Sequence, residues 1–426
     1  MAMLHADDYA FATQQVLSDS EISDLFTKCL GLTPTRITSP ASQGAFHKVY
    51  FVSLEEKDSE ENPWSGRDVV LRVARKTIER IKTENEMAIL RVLRAAGIPV
   101  PDVVFFSAVP DDPLKYEYNC LERITYPSLA DTWPSLSPTQ LDSVLDQFVD
   151  IFIKMWNIDV SHNHGSLRLD GTSGPVIEET MWTFPDIKRY FHAAPYNLTS
   201  ETFATLNPTD SYASWPAYIC AFLKTYAHVT AIHPSVEWLR DLLPPLRRVI
   251  AILDDAREVE WVQRLRDTPE LQGRLFHRDF HFGNILADEE GNIKAVIDWE
   301  FAGIGPSFAS RASPIRNVLG FFRCLPASTR PPNTQHLIDT WEGEFSTRLA
   351  ARAPEIGAQW VREMDRAAVL GVEGEALSDL REYLRSCLEI GVRGEEVWGQ
   401  AKMETAKGTY RDVVVASLKT LGCWEE

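Results

Sequence analysis

Phe276-His277-Arg278-Asp279-Phe280-His281-Phe282-Gly283-Asn284 is followed by Ile285-Leu286-Ala287-Asp288, a Glu289-Glu290-Gly291-Asn292 turn, and Ile293-Lys294-Ala295-Val296-Ile297-Asp298-Trp299-Glu300. Two short apolar runs flanking a Gly-containing polar turn predict a β-hairpin. Folding it about Glu290–Gly291 sets residue 284 opposite residue 297, so Asn284 and Asp298 emerge at one end. Asp279 lies on the loop that enters the hairpin. Three oxygen-bearing side chains are thereby expected to converge in a small volume.

That convergence suits phosphoryl transfer. The reaction needs Mg2+ held by hard oxygen ligands, which Asn284 and Asp298 can supply. It also needs a carboxylate placed to accept a hydroxyl proton, the part expected of Asp279. The spacing His277-Arg278-Asp279, four residues, Asn284, then a downstream Asp is the kinase pattern. A polar loop that merely caps a hairpin is the plainer alternative.

Working outward, the N-terminal half carries parts that such a site requires. Ala45–Leu54, carrying Val49, Phe51 and Val52, and Asp68–Ala74 are strand-like on either side of a polar turn at 55–66. Ser42-Gln43-Gly44-Ala45-Phe46 is the glycine-containing turn before the first of these strands, and Arg72 offers a cation from the second. A helix over Thr77–Ala96 ends at Gly97 and Pro99-Val100-Pro101. On it Glu86, Leu90, Leu93 and Gly97 share a stripe, and a Glu on an apolar stripe calls for a cationic partner. Arg72 is that partner, with Glu84 the competing carboxylate. Strand-like runs at Val103–Val109 and Tyr116–Ile124 complete a small antiparallel sheet, and the first 35 residues read as helical.

Beyond residue 124 the texture is helical. Ser137-Pro138-Thr139-Gln140 is a capping box that opens one helix. Ser161–Pro216 reads as loops, Pro244–Arg266 as a helix, and the region from Thr334 as further helices. At about 150 residues per domain, 426 residues suggest two or three domains. We divide the chain into residues 1–124, a smaller ATP-covering part, and residues 125–426, a helical part with the hairpin and an acceptor pocket.

Lys and Arg number 43 against 61 Asp and Glu, for a net charge of −18. Such a chain lacks the basic footprint of a nucleic-acid binder and is ill-suited to anionic membrane surfaces. It has no run of 18 apolar residues and no leader-like N-terminus, so neither a membrane span nor secretion is expected. Six scattered cysteines (Cys29, Cys120, Cys220, Cys324, Cys387, Cys423) without metal-ligand spacing read as reduced thiols of a cytoplasmic protein.

With these motifs in hand, the chain resembles the aminoglycoside phosphotransferase (APH) family, the small-molecule branch of the protein-kinase-like fold. The resemblance rests on His277, Asp279, Asn284 and Leu286, on Ile297-Asp298-Trp299-Glu300, and on Val70-Leu71-Arg72. Glu86 with Leu90 and Leu93, and Pro99-Val100-Pro101, extend it. Gly165-Ser166-Leu167 and Gly174-Pro175 are similar to landmarks of a large fungal subgroup. The resemblance implies a bilobal α+β fold with a small antiparallel-sheet lobe and a large helical lobe. It also implies ATP and Mg2+ as cofactors. Asp279 would be catalytic, with His277 and His281 in its motif, and Asn284 and Asp298 would hold the metal. Ser42, Gly44, Phe46, Arg72, Glu86, and Glu122 and Ile124 of a hinge at 121–124 would form the nucleotide site. The partner would be a small-molecule acceptor bearing a hydroxyl, with an amine-bearing acceptor one option. Two alternatives stay open: a related enzyme that transfers AMP or activates a carboxylate, and a nucleotide-binding pseudokinase scaffold. The acceptor's identity and the oligomeric state are not legible in the residues.

Overall fold

Strict alternation in His47-Lys48-Val49-Tyr50-Phe51-Val52-Ser53-Leu54 buries Tyr50, Val52 and Leu54 on one face of a strand. The computed structural model that shows this describes residues 16–40, 43–44, 46–57, 62–109, 114–255, 259–306 and 334–424. Ser42 of the expected phosphate turn and Cys324 lie outside the described residues.

The described N-terminal part is helix α1 (Asp19–Leu30), strands β1 (Pro34–Thr38), β2 (His47–Leu54) and β3 (Asp68–Ala74), helix α2 (Ile81–Ala95), and strands β4 (Val103–Ser107) and β5 (Tyr118–Glu122). The strands form one antiparallel sheet in the order β1-β2-β3-β5-β4. Strand β1 departs from the helical reading of the first 35 residues. Ser18 caps α1 with a full capping box, and Gly31 stops it in the left-handed conformation at φ +68°. The β-branched Thr35-Arg36-Ile37-Thr38 then pairs along β2.

Helix α1 covers one face of the sheet, where Ile22, Leu25 and Phe26 share a core with Tyr50, Val69, Leu71 and Cys120. Helix α2 begins later than the sequence suggests and belongs to a different core. Its Met87, Leu90 and Leu93 pack with Phe148, Phe282, Ile285 and Trp299 from the second half of the chain.

That second half is mainly helical: α3 (Pro138–Trp156), α4 (Trp215–Ile232), α5 (Leu243–Asp254), α6 (Glu260–Asp267), α7 (Thr334–Arg352), α8 (Pro354–Met364), α9 (Arg366–Arg393) and α10 (Arg411–Thr420), with shorter turns between. The single helix expected over 244–266 is two. Between α6 and α7 lie β6 (Arg274–Phe276), β7 (Ile285–Ala287), β8 (Ile293–Val296) and β9 (Gly303–Gly305), in two antiparallel pairs, β7 with β8 and β6 with β9. A small antiparallel sheet with its helices set against a larger helical part is a bilobal, kinase-like α+β fold. Among the described residues no helix is long and apolar enough to cross a membrane, and Cys29, Cys120, Cys220, Cys387 and Cys423 form no disulfides.

The Gly165 and Gly174 landmarks have a steric cause. Two short strands, Ser166–Leu167 and Ser173–Gly174, pair there, and Gly165 also bridges to Ile304 of β9. A Cβ on Gly165 would sit 2.3 Å from Gly174 O, and one on Gly174 would sit 2.3 Å from Ser166 Oγ. Gly165→Ala is therefore expected to destabilise the chain by about 1–3 kcal/mol, since backbone must shift to admit the methyl. A urea-unfolding midpoint equal to that of the parent would refute this account.

Candidate active site

The register of the β7–β8 hairpin sets Ile285 opposite Val296. One step further, Ile297 N–H donates to Asn284 O at 2.9 Å. Asp288 organises the turn, accepting from Gly291 and Asn292 N–H, and Gly291 adopts φ +83° as the turn requires. Residue 284 therefore faces residue 297, as the sequence predicts.

Asn284 is buried, and its side-chain N–H₂ donates to Asp279 O at 3.0 Å and to Asp279 Oδ2 at 3.3 Å. His281 Nε2 stands 3.5 Å from the same Oδ2, while its Nδ1 accepts from Gly283 N–H. The contact with His281 holds the Asp279 carboxyl below its ordinary range against partial burial. His277 is different in kind. Its ring is buried against Trp299, Nε2 engages Ile297 O at 2.8 Å, and Nδ1 accepts from Asp279 N–H. Burial lowers its pKa to about 4, so the ring is neutral and ties the Asp279 loop to the far side of the hairpin.

Asp298 follows β8 with φ +67°, and Arg278 has φ +23°. Neither is glycine, so both backbones are strained, as is common where side chains must be aimed at a site. Burial, together with the charges of Glu300, Glu86 and Asp279, pushes the Asp298 carboxyl up to about 7 against the pull of Arg72. Arg72 reaches it at 3.5 Å.

Arg72 on β3 forms an ion pair with Glu86 on α2, and Asn119 of β5 donates to the second Glu86 oxygen at 3.3 Å. Glu84, the competing carboxylate, pairs instead with exposed Arg80 on its own helix. Gln43, which the sequence reading passed over, fastens the glycine turn to β2. Its amide accepts from Val49 N–H at 2.8 Å and donates to Val49 O at 3.1 Å. Phe46 packs edge-on against Phe301.

A cleft of about 1070 Å³ connects these parts. Gly44, Phe46, Arg72, Glu86, Glu122, Ile124, His277, Asp279, Asn284 and Asp298 all line it. The structure thus brings the described site residues to one cavity, with His281 behind Asp279. The segment after residue 124 is pinned to the hairpin, because Ala287 N–H donates to Pro127 O.

The cleft also has a wall that sequence reasoning missed, Glu178-Glu179-Thr180. Glu178 is buried and accepts from Tyr218 OH and Arg381, with Arg278 at 3.4 Å. Arg381 and Arg278 hold its carboxyl well below the usual range despite burial. Glu179 beside it is open to the cleft. Burial and the nearby charges of Asp279, Glu300 and Glu389 raise its pKa. Arg381 is 203 positions from Glu178, and no local pattern connects them. Among the described residues no group of three or more His, Cys, Asp or Glu forms a ready metal cage.

Residues 38–309 match the model of a family described as the phosphotransferase enzyme family, APH. The chain belongs to this family. Two curated relatives, subtelomeric hrmA-associated cluster proteins from two strains of Aspergillus fumigatus, are each 23% identical over 321 residues, or 64% of this chain. The chain spans 59% of the length of these relatives. Similar solved structures include a thermostable mutant of aminoglycoside phosphotransferase APH(4)-Ia in ternary complex with ADP and hygromycin B. It is 18% identical, with 93% of this chain and 98% of that chain covered and a TM-score of 0.46. A fructosamine-3-kinase homologue from Haemophilus somnus is 11% identical, with 92% and 96% covered and a TM-score of 0.44.

The Arg72–Glu86 pairing yields a contrast between neighbours on α2. Glu86→Ala leaves a buried guanidinium without its carboxylate and is expected to cost about 3–5 kcal/mol in denaturant unfolding. Glu84→Ala removes only a surface partner and should leave the midpoint where it is. Equal effects at the two positions would contradict the assignment.

Proposed function

We propose that the protein transfers the γ-phosphoryl group of ATP, with Mg2+, to a hydroxyl of a small molecule, and that the residues before and after about 124 divide the labour. The single observation that carries this reading is the meeting of Asp279, Asn284, Asp298 and the Arg72–Glu86 pair in one cleft.

The donor set suits Mg2+. An amide oxygen of Asn284 and a carboxylate of Asp298 are hard ligands, and Mg2+ is commonly held by one or two protein groups with substrate phosphates completing its shell. Burial first, and then the charges of Glu300, Glu86 and Asp279, shift the Asp298 carboxyl upward, and a divalent cation beside it would offset that shift. When bound, Mg2+ supplies the positive charge that neutralises β- and γ-phosphate oxygens.

The chain's own residues do the rest. Arg72 grips phosphate oxygens with its forked guanidinium and is held in place by Glu86. Gly44 and Phe46 cover the phosphates, with Ser42 preceding them in sequence, and the 121–124 backbone with Glu122 and Ile124 receives the base. Asp279, kept ionised by His281, orients the acceptor hydroxyl and takes its proton. His277 positions the Asp279 loop. Glu179, open to the cleft near Asp279, favours an acceptor that carries an amine.

Asp279→Ala is expected to lower turnover about 10²–10⁴-fold, with Mg·ATP binding retained. Unchanged turnover in that variant would sink the assignment. Asn284→Ala and Asp298→Ala should raise the Mg2+ concentration needed for half-maximal rate or abolish activity, and chelation should silence the parent enzyme. Mass spectrometry of products formed from a metabolite pool identifies the acceptor. ADP as the co-product supports phosphoryl transfer, whereas pyrophosphate, with AMP left on the acceptor or released later, would point to the AMP-transferring or carboxylate-activating alternative.

A further inference from the structure

Helix α2 carries four buried polar side chains within little more than one turn: Lys82, Thr83, Asn85 and Glu86. Thr83 donates to Glu117, the residue before β5, at 2.6 Å, and Glu86 meets Arg72 of β3. Lys82 forms an ion pair with Glu300, 218 positions away and two residues beyond Asp298. The ammonium lies beside the paired rings of Phe46 and Phe301, 5.0 and 5.3 Å from their centroids. Asn85 donates to Ala302 O and accepts from Leu167 N–H, both at 2.8 Å. Glu300 is also met from the sheet side, with His47 Nδ1 of β2 at 3.2 Å. The same nitrogen is 3.2 Å from Arg72.

Lys82 and Glu86 are four residues apart, on one face of α2. One grips the segment that follows the hairpin and the other grips Arg72. A buried ammonium without a carboxylate is strongly disfavoured, so the helix has one orientation that satisfies it. Its apolar face is packed into the core of the helical part, which removes the freedom to swing. The separation between Arg72 and Asp298 is therefore set by the two rigid pairs, Lys82–Glu300 and Glu86–Arg72.

We propose that Lys82 and Glu300 are positioning residues. Through α2 they hold Arg72 at the height of Asp298, so that the phosphate grip is assembled before nucleotide arrives. Glu300 is thus committed to Lys82 and is not a metal ligand, and residues 298–300 separate into one ligand and one anchor. The inference rests on the proposed ATP-dependent reading.

The test uses the full chain with Mg·ATP as the probe, without acceptor. Parent, Glu300→Gln and Lys82→Arg are compared by calorimetric titration and by amide hydrogen exchange over residues 81–95. Glu300→Gln is expected to weaken Mg·ATP about tenfold or more, the usual scale for an outer-shell anchor, and to speed exchange along α2. Lys82→Arg, which keeps the charge, should stay within about threefold of the parent on both readouts, well inside that scale. If Glu300→Gln does not fold, Lys82→Met gives the same readouts, because its apolar stem can still pack beside Phe46 and Phe301. Unaltered Mg·ATP affinity in a folded variant lacking either charge would overturn the proposal and leave the pair a purely structural one. A parent chain that binds no Mg·ATP at all would instead refute the nucleotide reading itself.

Discussion

The hydrogen bond from Ile297 N–H to Asn284 O closes the hairpin, and the cleft is arranged around it. It fixes which residues leave the two strands side by side. Asn284 can then reach Asp279, and Asp298 emerges beside them on a left-handed backbone that a free loop would not adopt. His277 adds a second fastening to Ile297 O, so both ends of the Asp279 loop are referred to the same residue. A slip of one residue in this register would send Asn284 and Asp298 to opposite faces. Buried Phe282, Ile285, Val296 and Trp299 make such a slip costly.

The second constraint is charge in a low-dielectric place. Arg72, Lys82, Glu86 and Glu300 are all largely buried, and each is stable there only with its opposite. Buried pairs are weak contributors to net stability compared with well-packed apolar side chains, but they are selective about geometry. Here they join three separate pieces, β3, α2 and the segment after β8. The apolar contacts of α2 with Phe148 and Trp299 supply adhesion, and the ion pairs supply the orientation.

Much of this was legible in the sequence because its determinants are local. The hairpin register followed from a turn and two apolar runs, and α3 from its capping box. Glu86 could be preferred over Glu84 from helical spacing, since one stripe faces the core and its neighbour faces water. What was not legible depends on residues far apart in the chain. Lys82 reads as one more surface lysine until Glu300 is set against it, and Glu178 reads as a loop acid until Arg278 and Arg381 close on it. The miss at β1 is of another sort: a helix stop at Gly31 and four β-branched or extended-tolerant residues were outweighed by the amphipathic stretch before them.

The surplus of acidic residues acquires a location. Glu344 pairs with Arg348, and Glu389 with Arg385 and Arg393, so these carboxylates of the C-terminal helices are engaged along their own surfaces. The cleft itself is lined by seven carboxylates and three guanidiniums. Two of the seven, Glu86 and Glu178, are neutralised by arginine and a third, Glu300, by lysine. Asp279, Asp298 and Glu179 line the same cleft, and burial followed by nearby carboxylates, Asp279 and Glu300 among them, shifts Asp298 and Glu179 upward. A bare polyphosphate would be repelled by such a group. On the proposed reading, the nucleotide must therefore enter with its own cation, and an acceptor with a positive nitrogen finds the remaining charge already in place.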